Sequence, residues 1–265
     1  RVGVVRRTYP DITILSYGGT VQLASNINTN KYFYLTQGTL DLNGYTLRTL
    51  IFSSSNTNTR ALIDSAVAGG GKIIVTNTNG TPFSMGTTGG LTVLNAPDID
   101  MGDSAVTQTA DVTFASGGKT FGDFKVTKHK GNYKCIITGA PILGVLTLET
   151  PDVTYQYSGL KNTAATILTV AGIVAEGTVD YTIPIQSATA ATHTISQTSG
   201  TNTVKYCTIT NSIATGGATF NSYTTDGNVD GGGNTGWIFT APPSSGYAPV
   251  ILDKNLIFKK NVIFK

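Results

Sequence analysis

The sequence predicts an all-β protein, and among all-β folds it favours a parallel β-helix, or β-solenoid, with short rungs. Glycine occurs 31 times in 265 residues and only 12% of the residues are charged, so windows long enough for an amphipathic helix are scarce. Short apolar runs with the two-residue period of a strand recur along the chain, separated by Gly, Ser, Thr and Asn. Stacked coils of about 20 residues, each holding two or three short strands, would give this pattern.

The start of the chain leads into this repeat. Residues 1–10, RVGVVRRTYP, are predicted as a basic N-terminal arm, and residues 11–240 as the β-solenoid domain. Within that domain, residues 38–76 show the repeating unit most clearly. Leu40 and Leu42 alternate with polar residues, and the following Asn-Gly pair supplies the positive φ angles that a tight corner needs.

Strands are predicted throughout the solenoid domain. They are placed at 39–42, 46–53, 61–63, 72–76, 91–94, 111–115, 124–127, 134–138, 146–149, 153–157, 167–170, 179–183, 192–197 and 203–211. Tandem β-sandwich domains are the alternative, because a sandwich also shows turn signals every 8–12 residues or so. The solenoid is favoured because Asn-Gly hairpin loops between long matched strands are scarce, and because Thr, Ser and Asn suit rungs that stack like on like.

The core is predicted from the alternation within these runs. The side chains expected to be buried are Leu40, Leu42, Ile74, Leu91, Val93, Val112, Phe114, Ile136, Leu146, Leu148 and Ile209. Cys135 and Cys207 lie in strand-like runs and are expected to be small buried side chains; a disulfide between them is not indicated. Residues 216–236 are predicted as a long loop that ends at Trp237, which is expected to cap a core.

The end of the chain is predicted to mediate assembly. Residues 241–247 are predicted as a linker and residues 248–265 as a C-terminal hydrophobic tail with the repeat VILDKN, LIFKKN, VIFK. A two-stranded ribbon cannot hide nine large apolar side chains on one face, so the tail is expected to pack on a neighbouring subunit. A strand pair folded back on its own domain is the alternative. The nine residues are Val250, Ile251, Leu252, Leu256, Ile257, Phe258, Val262, Ile263 and Phe264.

Charge and hydropathy exclude some functions. The net charge of +3 is too small to predict nucleic-acid binding, and no apolar run is long enough to predict membrane insertion. Five lysines between residues 119 and 134 gather around His129 and are predicted to protect strand edges. His129 and His193 have no recognisable catalytic partner pattern and are expected to be polar strand residues.

An enzyme is considered because two carboxylates that face one groove can hydrolyse a glycosidic bond. Asp98 and Asp100 fall on the same strand face, Asp103 follows, and Asp123 is expected one rung away. The flanking residues lack the Arg, Tyr and Trp that usually cradle sugars. These acidic residues are therefore predicted to be solvated turn carboxylates, and no catalytic residue is assigned.

One stretch resembles the first half of a calcium loop. Asp226, Asn228 and Asp230 place three oxygen-bearing side chains at alternate positions, and Gly231 permits the sharp bend. Trp237 stands where a bidentate Glu would complete the loop, so a calcium ion would bind weakly, with a dissociation constant of about 10⁻⁴–10⁻³ M. The competing interpretation is a Gly/Asn-rich surface loop without metal. No other cofactor is predicted.

Three segments carry a resemblance to known proteins. VKYCTITNSIATGGATF, GNVDGGGNTGWIF and the earlier TLDLNGYTLRTLIFSSSNTNTRAL resemble bacteriophage tail-fibre or virion-surface β-helix proteins. The resemblance covers residues 39–239 with gaps and brings no catalytic motif. It implies a structural, extracellular protein of the virion surface that forms homo-oligomers, a trimer being one such assembly, and contacts other virion proteins.

The sequence therefore leaves two main function classes open. The first is a non-enzymatic structural protein of a virion surface or tail fibre that contributes rigidity, assembly and attachment to a host surface glycan. The second is a carbohydrate-binding or depolymerising β-helix similar to a tailspike. A bacterial surface adhesin or filament subunit of the same fold is a third alternative. A groove with two carboxylates and exposed aromatic residues would favour the second class, and a smooth Thr/Ser-coated face the first.

Overall fold

The chain folds as a parallel β-helix with three sheet faces. The computed structural model describes residues 11–66, 70–104 and 107–241. These ranges contain no α-helix and one 3-10 turn, Thr224–Asp226. The expected arm at 1–10, nearly all of the linker and the whole tail with its nine apolar residues lie outside the described residues and stay predictions.

The strands are short and follow one another closely along the chain. Their bounds are β1 Ile12–Gln22, β2 Ile27–Asn28, β3 Tyr32–Asp41, β4 Thr46–Thr49, β5 Ile51–Ser53, β6 Arg60–Ile63, β7 Lys72–Val75, β8 Gly80–Ser84, β9 Leu91–Leu94, β10 Asp98–Met101, β11 Val112–Ala115, β12 Phe124–Val126, β13 Cys135–Thr138, β14 Ile142–Leu148, β15 Leu160–Asn162, β16 Ile167–Ala175, β17 Ile183–Ser187, β18 His193–Ser196, β19 Thr201–Thr203, β20 Cys207–Thr210, β21 Ser212–Thr215, β22 Thr219–Asn221, β23 Val229–Asp230 and β24 Trp237–Ile238.

The strands stack on three faces, and each coil visits the faces in the same order. The first face runs through β1, β3, β5, β8, β11, β13, β15, β17, β20 and β23. The second holds the ends of β1 and β3, then β6 and β9, the starts of β14 and β16, then β18 and β21. The third face holds β2, β4, β7, β10, β12 and the ends of β14 and β16, continued by β19, β22 and β24.

Every strand pair among the described residues is parallel, which confirms the β-helix and excludes the sandwich there, since sandwich sheets are antiparallel.

The core is a filled column of apolar side chains. Phe33, Phe52, Phe83 and Phe114 stack along the first face, one per coil, with ring-centroid distances of 5.9, 5.3 and 4.7 Å between neighbours. All four rings are almost completely buried. Because like side chains lie in register at the sheet spacing of about 4.8 Å, their rings fill the interior without a gap between coils.

The core prediction is confirmed at eight of its eleven positions, namely Leu40, Leu42, Leu91, Val112, Phe114, Leu146, Leu148 and Ile209. Ile74 and Ile136 are only half-buried and lie on the outward side of their strands, so their assignment to the core is wrong. Val93 is half-buried as well, but it pairs with Leu62 and packs against the core. In β7 the inward side chains are Ile73 and Val75, and in β13 they are Cys135 and Ile137. Cys135 and Cys207 are buried free thiols, as expected.

Corners between faces are made by turn residues. Asn43 and Gly44 have φ angles of 49° and 79°, as the sequence predicts for this corner. Residues 153–157 form a corner instead of the expected strand, with Val153 79% exposed. The expected loop at 216–236 is also wrong: it contains β22, the 3-10 turn and β23, which belong to the last coils.

Trp237 closes the core in these last coils. It is 7% exposed, its ring meets Phe220 edge-on at 5.3 Å, and its Nε1 donates to Ser212 Oγ at 3.1 Å. A buried Trp that satisfies its N–H in this way is the expected end of an apolar column.

Candidate functional sites

The outer side of the third face carries a charged cleft. Arg48, Ile74, Asp100 and Lys125 lie side by side in register on four successive coils. Together with Asp103, Gly102, Ser104, Thr127 and Glu149 they line a shallow cleft of about 220 Å³. Of the four acidic residues singled out in the sequence, Asp100 and Asp103 therefore line this cleft, whereas Asp98 and Asp123 do not.

The carboxylates of this cleft are paired with cations. Asp100 Oδ2 lies 3.4 Å from Lys72 Nζ and 3.7 Å from Lys125 Nζ. Asp103 Oδ2 accepts a hydrogen bond from Arg48 Nε at 3.1 Å and pairs with Arg48 Nη2 as well. Asp100 and Asp103 are thus held in ion pairs on the outer side of this face, the arrangement of a structural charge network rather than of two unpaired carboxylates that face a groove.

Asp98 and Asp123 hold neighbouring coils together. Asp98 Oδ1 accepts from the backbone N–H of Asp123 at 2.8 Å, and Asp123 Oδ1 accepts from the N–H of Val145 at 2.8 Å. Asp123 thus lies one coil from Asp98, as expected. Burial raises the pKa of Asp98, and the neighbouring carboxylates of Asp123 and Asp100 add to the rise.

The same use of polar side chains recurs along the solenoid. Asp11 Oδ1 accepts from Tyr32 N, Asn26 Oδ1 from Thr46 N, and Asp111 Oδ1 from Lys134 N, at 2.8–3.1 Å. In each case the acceptor lies one coil before the amide that it satisfies, which belongs to the first residue of a strand (Tyr32, Thr46) or to the residue just before it (Lys134). An acidic residue in this chain is therefore often a coil-to-coil staple, a role that the sequence analysis did not identify.

A second cleft lies at the corner where the chain passes from the third face to the first. Its volume is about 450 Å³. Tyr133, Tyr157 and Tyr181 contribute one aromatic ring from each of three consecutive coils, and all three side chains are half-buried. We call this site the tyrosine cleft; its other lining residues are Asn132, Lys134, Gln156, Ser158, Asp180, Thr182, Pro184, Gln186 and Thr208.

The tyrosine cleft is built from polar groups that contact one another. Gln156 Nε2 donates to Tyr181 Oη at 3.3 Å, and Lys134 Nζ donates to Asn132 Oδ1 at 3.1 Å. Burial lowers the pKa of Lys134, and Lys161 lowers it further. The sequence analysis missed this cleft, although a tyrosine recurs every 24 residues at positions 133, 157 and 181. No residue lines both clefts, so the three tyrosines lie apart from Asp100 and Asp103.

Two buried histidines lie in the interior of the coils. His129 is 2% exposed and His193 is 0% exposed. His193 is the first residue of β18, as expected, whereas His129 lies outside the strands and forms an isolated bridge with Tyr157. Burial lowers the pKa of each histidine to about 4. His129 also exchanges backbone hydrogen bonds with Tyr157, at 2.8 and 3.1 Å, which ties it to the tyrosine cleft.

The residues of the expected calcium loop point in different directions. Asn228 is 4% exposed; its Oδ1 accepts from Cys207 N at 2.8 Å, and its Nδ2 donates to Val204 O at 2.8 Å and Tyr223 O at 3.0 Å. Asp230 is exposed, and its Oδ1 accepts from Gly232 N and Asn234 Nδ2. The amide of Asn228 therefore braces the coil. Calcium binding, which would fall to Asp226 and Asp230, stays a prediction.

Within the described ranges, no three His, Cys, Asp or Glu side chains form a group that could hold a metal ion. The same ranges contain no helix long and apolar enough to cross a membrane. Comparisons of the chain with protein-family models, with curated proteins and with solved structures found no match.

Proposed function

We propose that this chain is a non-enzymatic structural protein of a virion surface or tail fibre, in which the solenoid acts as a stiff shaft. The observation that carries the proposal is the stack of ten strands on the first face, which runs from β1 to β23. A solenoid of this kind presents long regular faces to its surroundings and transmits load along its axis. A long, regular solenoid can therefore serve as a scaffold without a catalytic centre.

Stiffness follows from how consecutive coils are joined. Backbone hydrogen bonds run along all three faces, and buried apolar side chains pack between them, including the phenylalanine stack in four of the coils. Side-chain staples such as Asp123 to Val145 add bonds at the corners, where a coil could otherwise tilt. Bending the shaft would break several of these contacts together, so the coils resist it as a unit.

The pairing of the acidic residues favours a scaffold over a depolymerase. Glycoside hydrolysis uses one protonated carboxylic acid and a second carboxylate across the scissile bond. Here Asp100 faces two lysines and Asp98 binds a backbone amide. Incubation of the protein with capsular polysaccharide and a reducing-end assay tests this point; we expect no release of sugar ends above a heat-denatured control.

Assembly into a homo-oligomer is proposed for the C-terminal tail. The nine apolar side chains from Val250 to Phe264 would pack between subunits, with a trimer as one arrangement and other virion proteins as further partners. Apolar residues on the outermost described strands, Leu15, Val21, Val229 and Ile238, are 41–56% exposed and offer further contact surface at the two ends of the shaft.

Deletion of residues 247–265 tests the assembly proposal. We expect multi-angle light scattering to give a smaller mass per particle for the truncated chain, while circular dichroism shows an unchanged β spectrum. Full assembly of the truncated chain would contradict the proposal.

Location is tested by immuno-electron microscopy with antibodies raised against residues 11–241. Label on purified virus particles, at the surface or along tail fibres, is the expected result. Label confined to bacterial cell surfaces would favour the adhesin alternative instead.

A further inference from the structure

We propose that the tyrosine cleft is a binding site for an oligosaccharide. The proposal goes beyond the scaffold function, because it assigns a ligand site and the chemical class of the ligand. It rests on the geometry of one corner of the solenoid and does not involve the charged cleft or the C-terminal tail.

The aromatic rings are arranged along the axis of the shaft. Tyr133, Tyr157 and Tyr181 come from consecutive coils, which lie about 4.8 Å apart in a β-sheet. They precede β13, β15 and β17 at the same corner. Each ring is half-buried, so part of its surface remains open to the cleft. A chain-like ligand that lies along the corner would therefore meet one ring after another.

The side chains that line the tyrosine cleft can form the contacts that a sugar ligand needs. One side of a sugar ring carries C–H groups and packs on the electron-rich face of an aromatic ring, whereas its edge carries hydroxyl groups. Gln156, Gln186 and Asn132 carry amides that can both donate and accept hydrogen bonds, and the hydroxyls of Thr182 and Thr208 can do the same. A hydroxyl-rich ligand needs this mixture of donors and acceptors around an apolar platform.

The volume of the tyrosine cleft and its preformed hydrogen bond support ligand binding. Its volume of about 450 Å³ falls within the range of about 300–1,000 Å³ that is typical of ligand pockets. The hydrogen bond from Gln156 to Tyr181 Oη helps to fix the ring before a ligand arrives. Preformed walls lower the entropic cost of binding, because fewer side chains must be ordered.

The experiment uses the full chain and an array of bacterial surface oligosaccharides, followed by isothermal titration with each glycan that gives a signal. Tyr157→Ala removes the central ring, and Thr208→Trp fills the cleft from an outward-facing, half-buried position without removing a core side chain. We expect each variant to weaken glycan binding by about tenfold or more. Tyr17→Ala is the matched control, because Tyr17 is 83% exposed and lies on the first coil; it should bind as the wild type does.

The outcomes separate this proposal from the scaffold function. Thermal melts identify any variant that fails to fold, and Thr208→Trp keeps the test valid if Tyr157→Ala is one of them. Absence of any glycan signal, equal binding by all variants, or selective binding of a single-stranded oligonucleotide at the same cleft would overturn the oligosaccharide site. None of these results would change the mass of the assembly or the labelling of particles, on which the scaffold proposal depends.

Discussion

Arg60 Nε donates a hydrogen bond to Ser54 Oγ at 2.7 Å in the interior of the solenoid. The guanidinium is 2% exposed and also binds the carbonyl oxygens of Ser54, Asn58, Thr87 and Gly89 at 2.6–2.8 Å. Ser54 in turn donates to Leu35 O at 3.1 Å. One arginine thus fixes the corner loops of two successive coils and reaches a third through Ser54.

We expect Arg60→Met to lower the free energy of unfolding by at least about 3 kcal/mol, because the hydrogen bonds of a buried guanidinium to four carbonyl groups and one hydroxyl would be lost. Urea denaturation measures the change. Arg48→Met is the matched control, since Arg48 is partly exposed and its pair with Asp103 lies on the outer surface. That variant should change the free energy by about 0–1 kcal/mol. Equal midpoints for the two variants would show that Arg60 has no special role.

The phenylalanine stack gives a second stability prediction. Phe83 contacts the rings of Phe52, Phe114 and Phe121 at centroid distances of 4.7–5.6 Å. Phe83→Ala should cost about 3–5 kcal/mol, because the cavity opens in the middle of a filled column. Tyr17→Ala, at an exposed site, should stay within about 0.5 kcal/mol of the wild type. A Phe83→Ala variant as stable as this control would mean that the column can collapse around the gap.

Acid should weaken the fold through its two buried histidines. The pKa values of His129 and His193 are about 4 in the folded protein, below the value of about 6.5 for an exposed histidine, so the unfolded chain takes up protons first. The stability contributed by the neutral histidines is therefore complete above pH 6.5 or so and is lost as the pH falls towards 4. Each histidine contributes up to about 3 kcal/mol to this loss.

Urea denaturation at pH 7.5 and pH 4.5 measures the effect. His193→Gln should show roughly half of the wild-type loss between these two values, because one titrating group is gone. Partners lower the pKa of Asp152 to about 2, so this carboxylate titrates below the window. An unchanged pH dependence in His193→Gln would contradict the assignment.

Calcium binding at Asp226 and Asp230 is tested by thermal melts in chelator and then in millimolar calcium. The sequence pattern predicts a rise in the melting temperature that Asp230→Ala abolishes. Asn228→Ala is an informative companion, because it removes hydrogen bonds to Cys207, Val204 and Tyr223 and should destabilise the protein in both solutions. Identical melting curves of the wild-type protein with and without calcium would contradict the prediction that this loop binds calcium.

The fold was predictable because its signal is local. Alternation such as that of Leu40 and Leu42, and corners such as Asn43-Gly44, need no knowledge of the rest of the chain. The alternation fails where two isoleucines are adjacent, as at Ile73 and Ile74. Either residue can then be assigned to the core, and only the pairing of Ile74 with Arg48 and Asp100 on the outer face decides between them.

The sites were less predictable because they depend on register between coils. Three tyrosines 24 residues apart line one cleft even though the strands that follow them pair at an interval of 25 residues, and the length of a coil varies along this chain. Asn228 shows the converse problem. Asn228 belongs to a short motif that resembles a calcium loop. In the structure, however, its side-chain oxygen accepts a hydrogen bond from the N–H of Cys207, the first residue of β20, one coil earlier. Sequence spacing alone did not distinguish a ligand from a staple.

The close spacing of paired strands along the chain has a consequence for how this protein forms. Backbone partners are separated by as few as 17 residues, as for Phe220 and Trp237, and by at most about 32, as for Gly80 and Val112. Within the described ranges, each coil pairs with chain segments that lie close to it in sequence, so each new coil can template on the one already folded. Growth of this kind can keep pace with synthesis on the ribosome, and the unpaired edge that it exposes at any moment is only one coil long.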